Sequence, residues 1–356
     1  MSEIYQGAQL DQRTRSKKQK DFTLQEAVAS VDVVRWVEKK IADCRKFPIF
    51  NQNGSGSCVA QTAKKELGII HFLDFGNYIH FSATDIYNRR YNRPQSGMGG
   101  WDVRAICQQG VTLESLLPST DMTDQEMDNA KVHKYNDIVR VAFQVRNYVT
   151  LPIKDIETVA SVIQKTGKGV MVWFYFNYNE WTDVPEVKEN IDLNGASTNR
   201  HSITATDFLL YNGKKALLCE DSWGPTFGLE GRRIITEDFF KERNFYASYL
   251  VYFKYKDELE IIDPDGGKPR HHFSKQLYFS PNFNVDEDVK KLQGILKYEG
   301  LFPLNIACTG YYGAITSKGV HKWQIKHEVA NKQELDALGG RVCGPKTIAK
   351  LNELYS

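Results

Sequence analysis

Four residues of this chain have the types and the order that thiol chemistry needs. Residues 51–60 read NQNGSGSCVA, which sets Gln52 ahead of Cys58 with a Gly/Ser-rich loop between them. A thiol attacks a carbonyl at neutral pH only as its thiolate, and a helix N-terminus and a nearby imidazolium both stabilise that anion. Helical spacing begins at Cys58, which places it in a first helical turn. The candidate base is His201 in STNRHSITATDF, at the start of a strand, and the candidate for orienting its ring is Asp221 in EDSWGPTFGLEGRRI. Two strands joined by a tight turn can set these side by side, so that the acid selects the imidazole tautomer. Gln52 lies on the loop before the helix, where its amide and the Cys58 N–H can converge on a developing oxyanion. Taken alone, a cysteine at a helix start is usually a small buried hydrophobe, and a histidine opening a strand is usually structural. The four in this order, with Ser-Trp-Gly attached to the acid, point instead to a nucleophilic site.

The elements that must position these residues show in the periodicity. Val59, Ala63, Leu67 and Ile70 form one face of a helix starting at Cys58, with Ser57 or Ser55 as its cap. IKDIETVASVIQKTG reads as a helix closed by glycine, and GVMVWFYFNY as a strand too apolar for a sheet edge. HSITATDFLLYNGKKALLCEDSW alternates around an Asn-Gly turn, and GRRIIT adds a strand. A helix-rich first half followed by a strand-rich second half indicates an α+β domain. Upstream, DQRTRSKKQK reads as a solvated basic arm. Val28, Val31, Val34, Trp36, Val37 and Ile41 are spaced for a helical extension packed on the next domain. Residues 256–284 contain Pro-Asp-Gly-Gly and read as a linker with a hairpin; His271 and His272 within it have no ligand partners nearby in sequence and read as solvated. Beyond it, VDEDVKKLQGILKYEG puts Val289, Leu292, Ile295 and Leu296 on one helical face ending at Gly300, and SKGVHKWQIKHEV repeats the design.

At 356 residues the chain is too long for one ordinary core. Its 46 basic and 44 acidic residues leave a formal charge of +2, a balance that argues against a whole-chain nucleic-acid binder. The N-terminal MSEIYQGAQLDQRTRSKKQK has no apolar core of a Sec signal, and no apolar run is long enough for a membrane span. The six cysteines are scattered without a C-x-x-C pair, so they read as reduced thiols rather than a disulfide framework or a zinc site. Neither a metal nor a cofactor is expected.

Four segments resemble the papain-like cysteine peptidases. QNGSGSCVA, MGGWDVRAICQQGV at 98–111, NRHSIT and EDSWGPTFGLEGRRI fall in that family's order within residues 46–255. The resemblance implies a papain-like two-lobed fold, a helical lobe followed by an antiparallel β lobe. It implies Cys58 as nucleophile, His201 as general base and acid, Asp221 as orienting residue and Gln52 as oxyanion donor. It also implies that Gly99 and Gly100 hydrogen-bond an extended peptide or protein substrate and that Trp223 shields the His–acid pair. Three positions depart from the family. Asp221 stands where it has asparagine, Val59 replaces an aromatic residue, and Ser55 replaces a cysteine that forms a disulfide in secreted members.

Residues 285–356 resemble a second family, the bacterial peptidoglycan-binding domain, a small three-helix unit. The match runs through Leu292 and Gln293, Gly310 to Gly313, Thr316, Val320, Trp323 and Gln324, then Gly344 to Thr347, Leu351 and Asn352. Tyr311 and Tyr312 could stack on sugar faces or serve a capping or core role. Together the two resemblances imply a thiol hydrolase targeted to the bacterial cell wall by its C-terminal module, as in a phage or bacterial lysin or a virion-associated enzyme. Such a chain is made in the cytoplasm without a Sec signal and acts at the wall or in a virion. One alternative is a structural or adhesion component of a phage particle or secretion apparatus with a vestigial peptidase fold. Another is a processing peptidase that cleaves protein. Residues 1–45 would be an N-terminal extension, partly helical, whose role as an inhibitory propeptide stays open.

Overall fold

The computed structural model describes residues 7–10, 33–132, 134–193, 198–253, 269–280, 285–302 and 308–356. It divides into two compact units, Met1–Phe253 and Lys254–Ser356.

In the first unit, β1 (Ala8–Gln9) precedes a helical half of α1 (Cys58–Phe75), α2 (Ala83–Asn88), β2 (Met98–Gly99), α3 (Gly100–Gln109), α4 (Asp124–Asn129) and α5 (Lys134–Ala142). The sheet half follows with β3 (Tyr148–Thr150), α6 (Ile156–Thr166), β4 (Val170–Phe176), β5 (Asn199–Tyr211), β6 (Lys214–Glu220), β7 (Arg232–Thr236), α7 (Glu237–Arg243) and β8 (Asn244–Leu250). The six strands from β3 to β8 make one antiparallel sheet in the order β3-β8-β4-β5-β6-β7. The α+β, two-lobed arrangement is therefore present.

β4 is the strand whose sequence is too apolar for an edge, and it lies between β8 and β5 with all its residues buried. Each large apolar side chain it buries contributes about 1.5–3 kcal/mol. β5 and β6 turn at Asn212 and Gly213, whose φ angles of 50° and 74° are the positive pair that a type I′ hairpin requires. The register pairs Thr204 with Glu220, so His201 and Asp221 come to the same end of the hairpin.

α1 departs from a one-faced amphipathic helix. Val59, Ala63, Leu67 and Ile70 are buried as expected, but so are Lys64, Lys65 and Glu66. A helix enclosed on all sides can keep such residues only if each has a partner. Lys65 Nζ lies 2.7 Å from Glu220 Oε2, Lys64 Nζ donates to Ser119 Oγ at 3.1 Å, and Glu66 Oε2 accepts the Leu250 N–H at 3.0 Å. The expected serine cap is not formed. Ser57 stands at the N-cap without a capping bond, and Ser55 Oγ donates to the Gln52 carbonyl at 2.6 Å.

The helical extension is corrected over residues 33–40, and within 33–45 only Ile41–Asp43 makes a short 3-10 turn. Residues 33–40 run extended, with Leu210 N–H donating to the Val37 carbonyl at 2.8 Å and Val34 buried in the sheet core. The spacing of Val34 and Trp36 serves a two-residue period as well as a helical one, and pairing with β5 decides between them. The basic arm at 11–20, with Val28 and Val31, lies outside the described residues.

The second unit contains β9 (Leu277–Tyr278), α8 (Glu287–Tyr298), α9 (Ala314–Lys326), α10 (Lys332–Leu338), β10 (Val342–Cys343) and α11 (Pro345–Tyr355). It has four helices among the described residues where three are expected; the short α10 starts from Asn331, whose side chain accepts the Glu334 N–H. β9 pairs antiparallel with β10 rather than within a linker hairpin, and residues 254–268 and 281–284 lie outside the described set. His271 is paired, not merely solvated, with Nε2 2.8 Å from Asp288 Oδ1. The two glutamines of the sequence pattern do one job twice. Gln293 Nε2 donates to Thr316 Oγ1 and the Tyr311 carbonyl, both at 2.9 Å. Gln324 Nε2 donates to Thr347 Oγ1 at 2.9 Å and the Val342 carbonyl at 2.8 Å. Tyr312 is buried and donates to the Gly340 carbonyl at 2.8 Å, so it is a core residue rather than a sugar-stacking one.

Candidate active site

Cys58 opens α1, where the helix dipole favours a thiolate, and it is fully buried. His201 comes from β5 and Asp221 directly follows β6. The imidazole lies within electrostatic reach of the Cys58 thiol and, through Nε2, is 2.6 Å from Asp221 Oδ1. Thus the thiol, the imidazole and the carboxylate that the sequence singles out are brought into one line. The His201 and Asp221 side chains are 2% and 1% exposed, so water screens their interaction little.

Burial opposes a charged imidazole, but the Asp221 carboxylate and then Cys58 outweigh it and push His201 up to about 9. Burial likewise opposes a charged carboxylate, yet His201 and Arg233 hold Asp221 well below the usual carboxylate range. The carboxylate is fully occupied. Its Oδ1 also accepts the Ser222 N–H at 2.6 Å, and its Oδ2 accepts Trp181 Nε1–H at 3.2 Å and Arg233 Nε–H at 2.8 Å.

Gln52 is buried beside the site. Its Oε1 accepts the Ser222 hydroxyl at 2.6 Å and its Nε2 donates to the Ser55 carbonyl at 2.5 Å, which fixes the plane of the amide and leaves one amide hydrogen. The Trp223 ring centroid is 5.1 Å from that of His201, so the indole covers the imidazole. Gly99 ends β2 and its N–H donates to Asp102 Oδ2 at 3.0 Å; Gly100 starts α3.

The chain's own β1 lies on this edge. Ala8 and Gln9 pair in parallel with Met98 and Gly99, and the Met98 N–H donates to the Gly7 carbonyl at 2.9 Å. Gly7 approaches so closely that a Cβ there would stand 2.6 Å from Cys58 Sγ and 2.9 Å from the Gly56 carbonyl oxygen. A side chain would not fit without moving the segment.

Two residues at the site escape sequence reasoning. Trp181 sits 5.8 Å from the His201 ring, edge-on at 86°, on an irregular segment that carries no periodic signal. Arg233 did have one. Consecutive residues of a strand point to opposite faces, so reading GRRIIT as a strand implies that Arg232 or Arg233 points inward. Among the described residues, no group of three His, Cys, Asp or Glu is placed to hold a metal ion, and no helix is long and apolar enough to cross a membrane.

Among solved structures, the chain is similar to digestive procathepsin L 3 of Tenebrio molitor larval midgut, at 17% identity and a TM-score of 0.48, covering 63% of this chain and 72% of that one. It is similar to xylellain, a cysteine protease from Xylella fastidiosa, at 16% identity and a TM-score of 0.49, covering 64% and 94%. Bromelain from Ananas comosus, in complex with the E64 inhibitor, gives 17% identity and a TM-score of 0.44, covering 58% and 94%. No curated protein matches the chain. The model of the papain family of cysteine proteases matches residues 30–243, more than half of the sequence, and the chain belongs to that family.

Proposed function

We propose that Cys58, His201 and Asp221 carry out peptide-bond hydrolysis by acyl transfer. The observation that carries this reading is the buried imidazole paired with a carboxylate at 2.6 Å and set within reach of a helix-start thiol. The Cys58 thiolate attacks the scissile carbonyl carbon. His201 gives its proton to the leaving amine as the C–N bond breaks, and a thioester remains. His201 then takes a proton from water, whose hydroxide attacks the thioester and releases the acid with the thiol restored. Gln52 contributes its remaining amide hydrogen, with the Cys58 N–H, to the oxyanion. The edge at Gly99 and Gly100 takes the extended peptide or protein substrate, and Trp223 keeps water from the His201–Asp221 pair.

The position of Gly7 adds self-restraint to this reading: β1 occupies the substrate edge and shields the thiol. A thiol-directed epoxide labels Cys58 in the full chain at neutral pH and labels Gly7→Leu several-fold faster, because the leucine side chain cannot stay against Sγ. Peptide mapping by mass spectrometry reads both outcomes. If neither protein is labelled at Cys58, the catalytic reading fails; equal rates would remove the restraint alone.

The C-terminal unit, by its resemblance, takes the enzyme to bacterial peptidoglycan, and a lysin or virion-associated wall hydrolase is the corresponding role. The support is that the glutamine, threonine and tryptophan landmarks all build its interior, as a shared fold requires. Purified sacculi retain the full chain and lose a chain ending at residue 282; equal retention in a pull-down would sink the wall-targeting claim.

A further inference from the structure

We propose that Arg233 is a positioning residue of the reaction, one that lets a carboxylate at position 221 do the work of the family's asparagine amide. This rests on the Cys58–His201–Asp221 reading above. A thiolate, an imidazolium and a carboxylate together would leave a buried site with a net negative charge, which holds the imidazole proton too firmly for transfer to a leaving amine. Arg233 restores neutrality. Its Nε donates to Asp221 Oδ2 at 2.8 Å and its side chain is 2% exposed. With Trp181 it occupies Oδ2, so only Oδ1, which also accepts the Ser222 N–H, faces His201, as an amide oxygen would.

The guanidinium does not depend on Asp221 for its place. Its Nη1 donates to the carbonyls of Thr182 at 2.8 Å and Trp181 at 3.3 Å. It also lies 4.9 Å from the ring centre of Trp181 and 5.3 Å from that of Trp223, both of which border His201. β7 delivers it from across the sheet, with Arg233 opposite Cys219 on β6. Among the described residues, Cys58 from α1 and Asp221 act on the imidazole, and Arg233 from β7, Cys219 from β6 and Lys65 from α1 act on Asp221. Glu220 faces away, to Lys65 and Arg232, and Arg200 neighbours Tyr175.

The test is the rate of epoxide labelling at Cys58 against pH in the full chain, for the wild type, Arg233→Met, Asp221→Asn and the double variant. Arg233→Met slows labelling at neutral pH by roughly 10- to 100-fold, the cost typical of removing an outer-shell partner that holds a site residue in place. Its alkaline limb moves up by about one pH unit, because an unneutralised carboxylate holds the imidazolium longer. Asp221→Asn alone is also slow, with the limb moved down by the unopposed guanidinium. The double variant labels faster than either single one. An unmoved limb in Arg233→Met, or a double variant slower than both singles, overturns the proposal. Arg233→Lys guards against misfolding: it keeps the charge and the wild-type limb, and a limb displaced as far as in Arg233→Met would also overturn it. Absence of labelling in both the wild type and Gly7→Leu would instead be the failure of the active-site reading itself.

Discussion

Cys58→Ser is expected to lower kcat/KM for a peptide substrate by roughly 10⁴- to 10⁶-fold, the loss seen when a nucleophile is removed from a preorganised triad. The size of the effect follows from the surroundings of the sulfur. Asp221 lifts the imidazole to about 9, so His201 can hold the proton that a thiol yields when it attacks. A serine hydroxyl is far too weak an acid to do so, and the helix dipole at the start of α1 cannot close that gap. The substitution removes little volume, so the melting temperature should move by only a few degrees. A variant that keeps a tenth of wild-type activity would place the nucleophile elsewhere.

The buried His201–Asp221 pair sets the pH dependence of the wild type. His201 has its folded value raised above the unfolded one near 6.5, so its contribution to stability is complete below that pH and is lost as pH rises through about 9. Asp221 has its value depressed, so its contribution is present above the unfolded value near 3.9 and is lost as pH falls below it. Activity and thermal stability should therefore both decline through pH 9, read by rate and melting curve on the same samples.

How much of this was legible in the sequence depends on the kind of signal. Cys58, His201 and Asp221 stand out because helix starts and hairpins are local, and the Asn212–Gly213 turn alone aligns the last two. The extended course of 33–40 was misread as helix because the valine and tryptophan spacing fits two periods, and only the β5 edge selects one. The polar side of α1 was equally hidden. Lys64, Lys65 and Glu66 look solvent-facing until partners distant in sequence, such as Glu220 and Leu250, enclose them. The pairing of β1 with β2, which brings Gly7 against Cys58, is a long-range contact that two residues cannot announce. Tyr312 fell to the core because its neighbours in space, Gly340 and Cys343, come from a different turn of the chain.

Glu220→Ala is expected to be the most destabilising single change near the site, because Glu220 joins the lobe that carries Cys58 to the sheet that carries His201. Its Oε2 is 2.7 Å from Lys65 Nζ on α1. Its Oε1 is 3.2 Å from Arg232 Nε on β7 and accepts the Phe47 N–H at 2.6 Å. The carboxylate is fully buried, with Lys65 3% exposed. Removing one partner of a buried pair leaves an uncompensated charge and costs about 3–5 kcal/mol. For a domain of this size each kcal/mol lowers the melting temperature by roughly 2–4 °C, so a fall of about 6–20 °C should appear in calorimetry. Burial already pulls the Lys65 ammonium down, so without Glu220 the lysine can shed its proton, and this relief sets the upper bound on the cost. Lys214 and Asp238 provide the contrast. They are 57% and 64% exposed, and breaking that pair should cost only about 0–1 kcal/mol. If Glu220→Ala melted within two degrees of wild type, the buried cluster would not be what holds the two lobes in register, and the alignment of Cys58 with His201 would have to come from the apolar packing of α1 alone.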